Sequence, residues 1–185
     1  MIKTRKKNGR AAGKRNQLRE VTVRVPGSTS NCGSGFDTLG LALQIYNEVT
    51  LARGPLGMLA PASGSSRQAK ALVRQAIALF ERHTGAALDF GLSFRVMGDV
   101  PMARGLGSSV TVLAGTIAGL NELTDAGLSR HEIVGLVAEL EGHPDNAAAG
   151  VLGGFCVART DPGTGAYLDA VRIAVPPDLR FVVCS

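Results

Sequence analysis

"PMARGLGSSVT", residues 101–111, decides how the rest of the chain is read. Gly105 and Gly107 stand just before Ser108 and Ser109, and an apolar run, "VTVLAGTIAGLNELT", follows at once. Glycine tolerates positive φ and lets the main chain come close to a bulky anion. A helix starting at the serines would present first-turn amides with no internal partner. Those amides and the helix dipole favour a phosphate by about 0.3–1 kcal/mol per charge, or up to about 2 kcal/mol when partly buried. Two familiar phosphate loops do not fit. No lysine lies between 101 and 111, and Val110 occupies the place of the third glycine in a dinucleotide fingerprint. Taken alone, the stretch is equally readable as a glycine-rich turn capped by serines.

The 185 residues are 45% apolar and include no tryptophan, which suits one domain, or one domain and part of another. A chain of this size buries roughly 70% of its unfolded surface. No apolar run reaches the ~18 residues of a membrane span, so a soluble protein with no membrane partner is expected. Cys32, Cys156 and Cys184 are odd in number and lack metal-ligand spacing, which points to reduced thiols and a cytoplasmic location. The net charge of +5 is concentrated at one end. Residues 1–20 hold eight of the twenty Lys and Arg but one acid, Glu20, which leaves the remainder at −2. Residues 1–20 therefore read as a disordered basic tail. A nonspecific polyanion-binding arm and a targeting segment are the alternatives. A secretory signal lacks support, because no apolar stretch follows the charges.

The domain is expected to open at Val21 with the alternating strand "VTVRVP", stopped by Pro26, before a small-residue loop over 27–40. "LALQIYNEVTLAR" reads as one or two strands, and 54–66 as an exposed Gly/Pro/Ser connection. Helical spacing from Arg67 to Thr84 has Ser65 or Ser66 as N-cap and Gly85 as stop. The strand "FGLSFRVMG" precedes the glycine loop and a helix buried on all sides. Ser129 and Glu132 form a capping box for a helix ending near Glu141. "GGFCVART" and "AYLDAVRIAV" make a hairpin around "DPGTG", and "RFVVC" begins a further strand. The order gives an α+β fold, with residues 21–175 as the main domain and 176–185 as the start of another.

"PMARGLGSS" resembles the second motif of the GHMP kinases, a Pro followed by Gly-Leu-Gly-Ser-Ser in a phosphate loop without the Walker lysine. "VPGSTSNCGSGFDTLGLAL", 25–43, and "ELEGHPDNAAAGVLGGF", 139–155, are similar to the first motif and the Glu-Gly-His-Pro-Asp-Asn segment of its homoserine-phosphorylating branch. The three motifs fall in family order over about residues 21–184. The resemblance implies a mixed sheet packed by helices with a left-handed β-α-β crossover. It also implies that a second domain, with a third glycine-rich motif and substrate-binding arginines, is largely missing here, which would impair this chain.

The same resemblance implies the site. ATP would contact Pro101, Met102, Ala103, Arg104, Gly105, Leu106, Gly107, Ser108, Ser109, Val110 and Thr111, and Mg²⁺ would be held by Ser109 and Glu141. L-Homoserine would be bound by Asn31, Asp37, His143 and Asn146, with Asp37 taking the ammonium. Asn146, Glu141 and Arg104 would carry catalysis. Related kinases place an aspartate base where Asn146 stands, so here Asn146 would orient the substrate hydroxyl while the γ-phosphate takes the proton. Positioning and charge neutralisation carry most of phosphoryl transfer, which tolerates this arrangement. Local readings remain open beside these: an Asx turn at Asn31, a helix cap at Asp37, a surface-facing helix end at Glu141 and an N-cap at Asp145. His83 and His131 read as surface residues of amphipathic helices. The reading from a different class is a noncatalytic nucleotide- or RNA-binding module using the basic tail, with steep salt dependence. A homodimer is left open.

Overall fold

A computed structural model describes residues 1–8, 18–62, 66–176 and 178–182. Seven strands form one mixed sheet: β1 (Lys3–Asn8), β2 (Leu18–Asn31), β3 (Gly35–Gly54), β4 (Leu59–Pro61), β5 (Gly91–Gly98), β6 (Phe155–Thr160) and β7 (Tyr167–Ile173). Four helices accompany them: α1 (Arg67–Thr84), α2 (Ser108–Thr124), α3 (Arg130–Glu141) and α4 (Asp145–Leu152). The main path runs β1-β2-β3-β5-β4, while β6 joins β3 and carries β7. Among the described residues only β4 and β5 pair in parallel, linked through α1 in the β-α-β unit.

The core follows from alternation along β2 and β3. Val21, Val23 and Val25 on β2 and Val49 and Leu51 on β3 are fully buried, whereas Thr22, Arg24, Glu48 and Thr50 between them are not. Side chains two apart share a face, so one face of the sheet meets the helices and the other meets solvent. On the outer face Thr22 and Thr50 share a hydrogen bond of 2.9 Å and Arg24 lies 3.7 Å from the Tyr46 ring centroid. Helix α2 is nearly all buried, from Val110 to Leu123. Gly115 and Gly119 let it lie close on the sheet, since a Cβ would meet Val49 at 2.5 Å and Leu51 at 2.8 Å. Ser66 caps α1 through the Ala69 amide, Gly85 ends it in the left-handed region, and Ser129 with Glu132 completes the capping box of α3.

Several sequence expectations require correction. Pro26 does not stop β2. It lacks the N–H a ladder needs, so the pairing changes register between Pro26 and Ser28, and the strand continues to Asn31. The loop expected over 27–40 shrinks to a turn at residues 32–34 between two long strands. The 54–66 connection contains the short strand β4, which borrows hydrogen bonds from β5. Asp145 is the first residue of α4 rather than its cap, which is Pro144. Residues 178–182 form no strand, and the rest of that expected element lies outside the described residues.

The largest correction concerns the basic tail. Residues 3–8 form β1, antiparallel to β2, and Leu18–Glu20 already belong to β2; residues 9–17 lie outside the described part. Its lysines project from an edge strand, where charge discourages stray pairing. Lys6 pairs with Glu122 at 2.5 Å, and Ile2 is buried with its amide bonded to the Val151 carbonyl. Composition suggested a solvated extension because a basic edge strand and a disordered tail look alike without their partner. Burying an isoleucine contributes about 1.5–3 kcal/mol, so deleting residues 1–8 should lower Tm by roughly 3–10 °C in a chain of this length. An unchanged Tm in differential scanning calorimetry would show that these residues add nothing to the fold.

Candidate active site

The glycine loop connects β5 to α2. Ala103, Gly105 and Gly107 have φ of 56°, 69° and 66°, while Arg104 and Leu106 between them do not share the positive sign. Alternating signs turn successive amides toward one side and make an anion-binding concavity. The concavity runs into the N-terminus of α2, whose N-cap is Gly107 with no side-chain cap and whose first turn holds no acid. The positive end of a 17-residue helix is therefore left open to a ligand.

Two contacts fix the loop against β2. The Ser28 amide donates to the Leu106 carbonyl at 3.1 Å. A Cβ on Gly107 would lie 2.3 Å from Ser28 Oγ, so only glycine permits this approach. The Ser28 hydroxyl, packed against Gly107, donates to Asn146 Oδ1 at 2.8 Å, while Asn146 Nδ2 donates to Ser30 Oγ at 3.0 Å. Ser28 and Ser30 thus hold the Asn146 amide in one orientation.

A cavity of about 640 Å³ opens in front of these groups. Met102 through Ser109 line one side, with Asn31, Glu141, His143 and Asn146 among the residues of the other. Glu141 is the last residue of α3 and is half-buried, and Gly142 ends the helix with φ of 89°. No ion pair joins Glu141 to a cation among the described residues. A carboxylate and the Ser109 hydroxyl in one cavity form a hard oxygen donor set, which fits a hard divalent cation such as Mg²⁺.

Not every expected contact reaches the cavity. Pro101 is exposed beside it, and Arg104 lines it at the solvent edge. Val110 and Thr111 are fully buried beneath it, so their side chains belong to the core. Asn31 lines the cavity but also accepts the Asp37 amide at 3.1 Å, and both residues have positive φ. Asn31 ends β2 and Asp37 lies near the start of β3, so the strained residues flank the turn, as at many functional sites. Asp37 lies to one side, in a polar group with His143 and Asp145 whose nearest ligand atoms are all within 4.8 Å of one another.

Asp145 was noticed in the sequence only as a cap. It is 1% exposed, accepts from His143 Nδ1 at 2.9 Å and from the Asn146 amide at 2.5 Å, and its Oδ2 has no partner among the described residues. A carboxylate that accepts from Nδ1 leaves Nε2 as the ring's acceptor. Sequence reasoning missed Ser28 and Ser30 altogether. Their two-residue spacing places them on one strand face, a signal lost once the segment was read as a loop.

This fold and this lysine-free glycine loop define a class: the chain carries the N-terminal domain of the GHMP kinases. The model described as "GHMP kinases N terminal domain" matches residues 71–154. Its homologues are homoserine kinases. Those of Corynebacterium kroppenstedtii and Rhodococcus erythropolis are each 39% identical and aligned over 88% of this chain. They are covered over 55% and 56% of their own length, so the chain spans about half the length of the curated relatives it matches. A solved Listeria monocytogenes structure, described as a "putative homoserine kinase", is 33% identical, with a TM-score of 0.67 over 84% of this chain and 54% of its own. The homoserine kinase of Cytophaga hutchinsonii, at 23% identity and a TM-score of 0.70, shows the shared fold.

The two loop glycines should differ in their response to substitution. Alanine at either position must adopt a left-handed conformation that costs about 1–2 kcal/mol. A Cβ at Gly105 meets nothing within 4 Å, whereas one at Gly107 collides with Ser28. Urea unfolding should therefore show Gly107→Ala less stable than Gly105→Ala by about 1–3 kcal/mol. Equal losses would mean that the close approach to Ser28 is not a constraint.

Proposed function

We propose that the protein phosphorylates the hydroxyl of L-homoserine with ATP, giving O-phospho-L-homoserine in threonine biosynthesis. The observation that carries this reading is one cavity combining an anion-binding loop with a fixed asparagine amide and a nearby acidic group. The triphosphate lies along the amides of residues 103–109 and the open end of α2. Ser109 and Glu141 would hold Mg²⁺, which would neutralise phosphate charge.

The acceptor is a small zwitterion with a terminal hydroxyl. Asp37, beside His143 and Asp145, supplies negative charge for the ammonium, and Asn31 offers its amide to the same molecule. Asn146 cannot serve as a base, because an amide does not take up a proton at neutral pH. Its Nδ2 keeps one N–H beyond the Ser30 bond and can donate to the substrate hydroxyl oxygen, which leaves that hydroxyl's own proton free to transfer. This fixes the attacking oxygen in line with the γ-phosphate, whose own oxygen receives the proton. Arg104, at the solvent edge, neutralises charge as it moves onto the leaving phosphate. Cys32 is a free, exposed thiol in the acceptor turn, which suits a reducing compartment such as the cytoplasm. No helix among the described residues is long and apolar enough to cross a membrane.

A coupled ADP-release assay over homoserine, mevalonate, galactose and shikimate tests the reading. Turnover should require homoserine and a divalent cation. A preference for any other acceptor would overturn the substrate assignment while leaving the family intact.

A further inference from the structure

Position 47 breaks the pattern of β3. Residues 47, 49 and 51 share the helix-facing side of the strand, where Val49 and Leu51 are fully buried and apolar. Asn47 is 5% exposed in the same row. A buried amide costs free energy unless its donors and acceptors are met, and both of its atoms are met at the glycine loop. Oδ1 accepts from the Val100 amide at 3.2 Å, and Nδ2 donates to Thr111 Oγ1 at 2.8 Å. The Thr111 hydroxyl passes its own hydrogen to the Ser108 carbonyl at 2.6 Å. One side chain therefore joins the residue before the loop to the first turn of the helix after it.

The approach is built into the backbone. Gly98, at the end of β5, faces Asn47 across the ladder with φ of 148°. A Cβ there would lie 2.5 Å from Asn47 Oδ1 and 2.2 Å from the Tyr46 carbonyl. The Asp99 amide bonds that same carbonyl at 2.9 Å, so the chain is held on both sides of Gly98 before it enters the loop.

We infer that Asn47, acting through Thr111, is a positioning residue for the nucleotide: it closes the glycine loop at its base and fixes the spacing between the loop amides and the α2 N-terminus. The inference rests on the kinase reading and adds a determinant of ATP affinity outside the loop and the three motifs. Ser28 restrains the middle of the loop, whereas Asn47 ties its two ends. Losing either tether frees amides that must converge on one phosphate, and a net hydrogen bond of about 1.4 kcal/mol corresponds to a tenfold change in affinity.

The test separates the hydroxyl from its packing. Thr111 is fully buried, so neither of its variants removes a direct ligand contact. Thr111→Val keeps the shape and removes the acceptor, while Thr111→Ser keeps the hydroxyl and removes a methyl group. Titration with a fluorescent ATP analogue should show Kd raised about tenfold by Asn47→Ala and by Thr111→Val, with Thr111→Ser within about threefold of the parent. In the two weakened variants, the amide NMR signals of Gly105 and Gly107 should broaden while those of Val23 and Val49 stay sharp. A Thr111→Val protein that binds like the parent, or a Thr111→Ser protein weaker than Thr111→Val, would overturn the inference and leave the kinase reading standing. A parent protein that does not bind the ATP analogue would remove both.

Discussion

The approach of Ser28 to Gly107 is the contact on which the rest of the site depends. A strand residue with no exposed surface gives its amide to the loop carbonyl at Leu106 and its hydroxyl to Asn146. Nothing bulkier than a hydrogen atom fits between it and the loop. The glycine loop and Asn146 are thereby referenced to the same point on β2, whose buried valines anchor it in the core. A phosphoryl-transfer site needs this rigidity, because misplacement by about 1 Å can cost a hundredfold in rate.

The missing loop lysine becomes intelligible in this setting. A Walker lysine brings a mobile point charge to the phosphates. Here alternate positive φ at Ala103, Gly105 and Gly107 aims main-chain dipoles at a fixed place, backed by an uncapped helix. Preorganised dipoles cost little reorganisation during reaction. The burden shifts from one side chain to the accuracy of the loop, so hydrogen bonds at its base acquire functional weight.

Local signals made the helices legible in the sequence. The capping box at Ser129, the stop at Gly85 and the small-residue surface of α2 each follow from short-range chemistry, and the structure carries all three. The motifs also made legible that Gly105, Gly107, Ser108, Ser109, Glu141 and Asn146 converge, since all six line one cavity. Long-range pairing was not. Pro26 looked like a stop because its tolerance at a register shift depends on β3, and residues 3–8 looked disordered because their partner strand lies beyond a basic stretch. Ser28 and Asn47 went unassigned for a related reason. A buried polar residue reveals its role only through partners distant in sequence, 118 residues away for Ser28 and 64 for Asn47.

In the proposed function, the loop over 103–109 and the open end of α2 bind the nucleotide triphosphate. Amide chemical-shift mapping of this 19.1 kDa protein tests it directly. Adding a nonhydrolysable ATP analogue with Mg²⁺ should shift the amides of Gly105, Gly107, Ser108 and Ser109 most strongly, with Glu141 among the next affected. Shifts centred on another surface, with those amides unmoved, would contradict the account.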